Sequence, residues 1–217
     1  NFGVMDALQN LHRMDSTLLE GLSTPFKNGL HLLAGAQQPF PAAPTAGELA
    51  RLFDLLVTHY SYVVVDCGGR FDQTTRLICD LANAALLVAQ TDVVSLWSTG
   101  KIQTFLQEGG SRERLRLVLN RYKKIPGFSD EDVEKATNCK VLWKIPNNFQ
   151  MIGPAIDKGV PVALQESPDV SRSYRGLAAI LAEASAGEGT IDFTYGKADA
   201  KSKNPGRLVI SPLRAGQ

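Results

Sequence analysis

Polar side chains able to do chemistry stand in four places, each directly after a short apolar run. Asp66 follows residues 62–65 and leads into Cys67, Gly68 and Gly69. Gln90, Thr91 and Asp92 follow residues 84–89. Asn120 and Arg121 follow Leu115, Leu117 and Leu119, and Pro146, Asn147 and Asn148 follow residues 141–145. In a parallel sheet, ligands bind outside the carboxyl ends of the strands, so these are the positions where a site is expected. A carboxylate after a buried strand, followed by glycines, can hold a Mg²⁺-bound water while flexible backbone N–H groups approach a phosphate. The same Asp66 can equally cap its own loop, and the sequence leaves both roles open.

Other chemistries find no support. A phosphate-cradling GxxxxGK[ST] loop is not met at Gly100-Lys101, because Ser95 holds the first glycine position and Ile102 follows the lysine. His12, His31 and His59 lie in amphipathic or apolar stretches with no GxSxG elbow, and no GxGxxG follows a strand. The three cysteines, Cys67, Cys79 and Cys139, are widely spaced and read as free thiols rather than metal ligands. Among 217 residues, 23 Lys and Arg oppose 22 Asp and Glu, a net +1 that gives no field for generic nucleic-acid binding. Arg112, Arg114, Arg116 and residues 121–124 form a local basic cluster, read as a solvated strand end and loop. With 44% hydrophobic and 21% charged residues the composition is that of a soluble globular chain. No apolar run is long enough to cross a bilayer, and direct membrane insertion is not expected.

The elements that must position these residues alternate. Thr45 with Glu48 makes a capping box for a helix through Leu49, Leu52, Phe53, Leu56 and Val57. A strand at 62–65, a helix through Leu77 and Leu81, a strand at 84–89 and a helix over 95–107 follow. A strand then ends at Asn120, Ser129 caps a helix, and residues 141–145 form a strand stopped by Pro146. A short helix over 149–158 precedes a last one, with Ser167 as N-cap and Pro168 at its first position. This alternation predicts an α/β fold, a mostly parallel doubly wound sheet covered by helices. Residues 37–44 read as a proline-rich loop. Residues 186–217 hold five Gly and two Pro and read as a mostly flexible tail beyond a domain over 1–185, although Val209 and Ile210 could dock as a short strand.

Taken in order, Tyr62-Val63-Val64-Val65-Asp66, residues 84–96, Leu117-Val118-Leu119-Asn120-Arg121-Tyr122, residues 129–136, Ile145-Pro146-Asn147-Asn148 and residues 155–161 resemble the MinD/ParA group of P-loop ATPases. With residues 1–6, 18–21 and 29–34 they are similar to its CpaE/TadZ branch, which positions tight-adherence (Flp-type) pilus secretion machinery. The resemblance implies ATP and Mg²⁺ as cofactors, with Asp66 supporting the metal through water and the switch after it. It implies Asn120 recognising the base, Arg121 stacking nearby, and Pro146 and Asn147 lining the adenine. An Asn amide both donates and accepts, as an adenine edge requires, and a proline-started loop makes a fixed wall. It further implies a cytoplasmic protein, with polar placement open, that forms a homodimer and meets pilus and secretion proteins. Gly68-Gly69 replaces the proline usual after this aspartate, and a non-catalytic scaffold on the same fold is the alternative. The family's phosphate loop precedes the stretch that Asn1-Phe2-Gly3 resembles. A piece of a longer chain is therefore expected, lacking the first strand, with a central gap in its sheet and no ATP hydrolysis on its own.

Overall fold

The chain, described by a computed structural model at residues 2–35, 43–69, 71–108, 112–124, 126, 129–164, 168–186 and 207–214, begins with two short helices and a hairpin. These are α1 (Val4–Gln9), α2 (Ser16–Leu22), β1 (Thr24–Pro25) and β2 (His31–Leu32). The expected alternation then runs α3 (Ala46–His59), β3 (Tyr62–Asp66), α4 (Gln73–Leu81), β4 (Ala84–Ala89), α5 (Val93–Gln107), β5 (Leu115–Tyr122), α6 (Asp130–Thr137), β6 (Val141–Pro146), α7 (Phe149–Asp157) and α8 (Pro168–Ala186). A last strand, β7, spans Arg207–Arg214.

Side chains at the first turns fix where the helices start. The Glu48 N–H donates to Thr45 Oγ1 at 3.2 Å, and the Thr45 N–H donates back to the Glu48 carboxylate at 2.8 Å. Ser129 and Asp132 repeat the box on α6, at 3.2 and 2.9 Å. The Thr45 and Ser129 backbone N–H groups are the main reason that the Glu48 and Asp132 carboxyls titrate below their ordinary values. Both boxes therefore hold above the ordinary carboxylate pKa and loosen as pH falls through the lowered one. Helix α5 begins two residues before the expected Ser95, because Asp92 accepts the Ser95 N–H at 2.9 Å and takes the N-cap.

The main sheet has five parallel strands in the order β3-β7-β4-β5-β6. One face is covered by α1 to α6: Leu49, Leu52 and Leu56 of α3, Leu96, Ile102 and Leu106 of α5, and Val133 of α6 pack on Val63, Leu87, Leu117 and Leu119. On the other face α8 brings Tyr174, Leu177 and Leu181 onto Leu86, Val118 and Ile145. Trp143 Nε1 donates to Ser173 Oγ at 2.9 Å and pins α8 to β6. The helix lies so close that a Cβ on Gly176 would stand 2.7 Å from Trp143 Cζ2.

The central gap expected from the sequence is not there. Strand β7 lies in it, pairing Val64 with Val209 and Val65 with Ile210 on one side, and Ala84 with Val209 on the other. The tail expectation thus fails at 207–214, while 187–206 and most of 37–44 lie outside the described residues. The alternative expected for Val209 and Ile210, docking as a short strand, is what the structure shows, and a slot with unpaired N–H and C=O groups along both edges favours any strand-forming segment that reaches it.

Replacing Val209 by proline removes a donor from this central ladder and leaves its acceptor unpaired, which is expected to cost about 1–3 kcal/mol. Hydrogen exchange should then accelerate at Val63–Val65 and across β4; unchanged exchange there would show that β7 does not complete the sheet.

Candidate functional site

Because every strand of the main sheet runs the same way, all their carboxyl ends open on one rim. Asp66 closes β3, Gln90 follows β4, Asn120 and Arg121 lie near the end of β5, and Pro146 closes β6. Asp66 and Asn120 thus share an edge, three strand spacings or roughly 14 Å apart. An extended nucleoside triphosphate spans a comparable length.

Between the ends of β4 and β5 and helices α7 and α8 lies a cavity of about 540 Å³. Gln90, Asn120 and Arg121 supply its polar edge, and Ile152, Ile156, Val162 and Tyr174 its apolar wall. A small polar set on a largely apolar lining is the usual make-up of a small-molecule site. The wall comes from how α7 ends. The Gly159 N–H donates to Ile156 O at 3.0 Å and the Val160 N–H to Ala155 O at 2.9 Å, with Gly159 in the left-handed region. This closure turns residues 160–163 back over the cavity. Ser171 Oγ donates to Val162 O at 2.9 Å and ties that turn to α8.

Asn120 is half-buried, and its Oδ1 accepts the Arg121 N–H at 2.9 Å. Arg121 takes a φ of +52°, rare for a residue with a side chain, so the chain turns sharply at the cavity mouth. The amide of Asn120 is thereby oriented, with its NH₂ as the donating end and one lone pair of Oδ1 still able to accept. Pro146 pairs with Tyr122, and the Asn147 N–H donates to Tyr122 O at 3.2 Å. That loop is fixed beside the Asn120 turn but does not line the cavity. Residues 152–163 form the wall instead; they contain the resembling stretch 155–161, for which no role was expected. Their signal was the apolar face of α7 and Gly159 just past its end.

Asp66 is exposed at the rim, and its Oδ1 accepts the Gly68 N–H at 2.8 Å, with Gly68 at φ +64°. The loop-capping role is therefore present. Among the described residues no three His, Cys, Asp or Glu side chains gather to hold a metal ion. A single rim carboxylate fits Mg²⁺, which keeps several waters and takes its remaining ligands from phosphates. Next to it the Cys67 thiol is pushed up to about 12, first by burial and then by Cys79, Asp66 and Asp72. That raised value argues against a nucleophilic role. A second cavity, of about 600 Å³, opens beside the amino end of β5, lined by Gln103, Arg116, Glu134 and Lys140, and lies away from the rim. The basic cluster read from the sequence turns partly inward: Arg114 donates to Asp80 O and Ala82 O, and Arg116 to Glu113 O and Leu115 O.

No protein-family model matches the chain. In sequence it is 21% identical over 182 residues to the septum site-determining protein MinD of Bacillus subtilis (strain 168), covering 82% of this chain and 67% of that relative. In structure it is similar to a ParA family ATPase from Chlorobium tepidum TLS, with a TM-score of 0.71 and 18% identity over 82% of this chain and 75% of the other. It is also similar to a chain of the MinC:MinD cell division protein complex of Aquifex aeolicus, with a TM-score of 0.67 and 20% identity over 90% and 77%. The fold is therefore the α/β fold of these ParA and MinD structures, a parallel sheet flanked by helices. Among the described residues no helix is long and apolar enough to cross a membrane.

At about pH 8 the native chain is expected to react with iodoacetamide at Cys67 far more slowly than a free thiol of pKa roughly 8.5. Labelling should climb only as pH approaches the raised value of about 12, and mass spectrometry after timed quenching reads it. Labelling of Cys67 at the free-thiol rate would show that the rim is open there.

Proposed function

We propose that the chain is the nucleotide-facing part of a switch of the MinD/ParA type, in its CpaE/TadZ form, which localises and assembles Flp-type pilus and secretion machinery through ATP-gated dimerisation. One observation carries this reading: a carboxylate and an oriented carboxamide share a strand-end rim, three strands apart, with an apolar cavity at the carboxamide end. In it, adenine enters the cavity against Ile152 and Ile156. The Asn120 NH₂ donates to a ring nitrogen, and the remaining Oδ1 lone pair accepts from the exocyclic amine. Arg121 stacks at the mouth, and the Pro146-Asn147 loop borders it. The phosphates run across the ends of β4 and β7 toward Asp66, which holds a water of the bound Mg²⁺. Phosphoryl transfer also needs a cradle of N–H groups and a cation at the phosphates. The sequence holds no GxxxxGK[ST] loop, so hydrolysis is assigned to the complete protein.

The cap from Asp66 to Gly68, together with Gly68-Gly69 at the switch, favours the second reading, a scaffold on the same fold with a degenerate site. Asp66→Ala in the full-length protein separates the two. A scaffold would keep pilus assembly and placement, and a nucleotide switch would lose them.

Titration of the full-length protein with a fluorescent ATP analogue in the presence of Mg²⁺ tests the first reading. Asn120→Ala is expected to weaken binding by about 5- to 30-fold, the loss of hydrogen bonds at a half-buried amide. Asp66→Ala should weaken it with Mg²⁺ and leave it unchanged in EDTA. Absence of binding in that protein would overturn the assignment.

A further inference from the structure

The cavity beside the amino end of β5 stands apart from the strand-end rim, and one atom in its lining is left unused by the fold. Gln103 lines it from α5 and is only 1% exposed. Its Nε2 donates to Asn138 O at 2.9 Å, just past the end of α6, where Asn138 takes a φ of +50°. That bond fixes which end of the amide is which, since a carbonyl accepts only from the NH₂. Gln103 Oε1 is therefore an acceptor. Among the described residues it is the one buried side-chain nitrogen or oxygen without a hydrogen-bond partner. A buried acceptor left unpaired destabilises a fold, so this position calls for an N–H or O–H donor from outside the chain.

The remaining lining defines the molecule that would carry such a donor. Leu115 and Cys139, both buried, form its apolar part, and burial pushes the Cys139 thiol up to about 12, so it stays neutral. Glu131, Glu134, Lys135 and Asn138 line it at the three- and four-residue spacing of one helix face. Glu134 is already committed: its Oε2 accepts from Lys140 at 2.6 Å and its Oε1 accepts the Val141 N–H at 3.0 Å. With that pair cancelled, two cations, Arg116 and Lys135, stand against one carboxylate, Glu131. Burial lowers the Arg116 pKa from its ordinary value, and an anion beside the guanidinium offsets that cost. A single negative charge suits this balance better than a doubly charged phosphate, which two glutamates repel. The volume of about 600 Å³ is in the usual range for a small organic ligand.

We propose that this cavity binds a small organic monocarboxylate with a hydroxyl or N–H donor at its far end. The donor pairs with Gln103 Oε1, the body lies against Leu115 and Cys139, and the carboxylate faces Arg116 and Lys135. The site is separate from the rim and does not rest on the nucleotide reading.

Titration of the full-length protein with para-hydroxyphenylacetate, followed through assigned amide NMR shifts, tests the site. Saturable shifts are expected at Gln103, Leu115 and Asn138, with Asn120 and Ile156 unmoved. Phenylacetate, which lacks the hydroxyl, and para-hydroxyphenylacetamide, which lacks the charge, should each bind about tenfold more weakly. Gln103→Leu should erase the difference between the two acids, a selective loss that general damage to the fold does not produce. Lys135→Glu, at an exposed position, should weaken both acids alike, and Lys135→Arg should preserve binding. If Gln103→Leu does not fold, the ranking of the three probes on the unsubstituted protein decides alone. Absence of saturable shifts overturns the proposal, as do shifts confined to the Asn120 cavity. Equal binding of the two acids, the result if a trapped water already serves Gln103 Oε1, overturns it as well.

Discussion

Backbone N–H and C=O groups along the facing edges of β3 and β4 have to be paired where water does not reach, and the strand between them decides whether a single sheet exists. In this chain that strand is β7, the last element in sequence and a central one in space. Its ladders join β3 to the β4-β5-β6 block and so set the distance between Asp66 and Asn120. The rim exists because all five strands are parallel, and they are parallel because each returns through a connection long enough to cross back over the sheet. The candidate site is thus a consequence of topology before it is a matter of side chains.

Many of the rim's polar residues also start or shape the next element. Asp66 holds the turn at Gly68, while Asp92 caps α5 and Asn148 caps α7. Strand ends in parallel sheets collect short polar side chains because the chain must leave the ladder there and satisfy its freed N–H groups at once. A ligand at this rim therefore meets groups already fixed by backbone hydrogen bonds. The same economy links the cavity to α5, where Ser95 is bonded to Gln90 on one side and to Asp92 on the other.

Helix starts and strand cores were legible in the sequence because they follow from local chemistry. The boxes at Thr45-Glu48 and Ser129-Asp132, the β-branched run before Asp66 and the stop at Pro146 lie within a few residues of the atoms they bond. The apolar wall of the cavity was less legible, since it needs the closure at Gly159 to swing residues 160–163 across the end of β5, and spacing along the chain does not reveal that approach. The exposed side of α5, with Val93, Val94 and Trp97, was hidden for a related reason: apolar residues occupy both sides of that helix, so periodicity alone does not tell its core face from its outer face.

The alternation of elements, their caps and the set of polar residues left at the ends of strands follow from the residues alone, because each depends on neighbours within a turn or a strand. Which strand sits beside which is settled only in three dimensions. The placement of β7 (Arg207–Arg214) between β3 (Tyr62–Asp66) and β4 (Ala84–Ala89) is a long-range choice, set by two open ladders far earlier in the chain and beyond the reach of local signals. The physical reason is that backbone hydrogen bonds between strands carry no side-chain code of their own, so partners are chosen by packing, burial and the reach of the connecting chain.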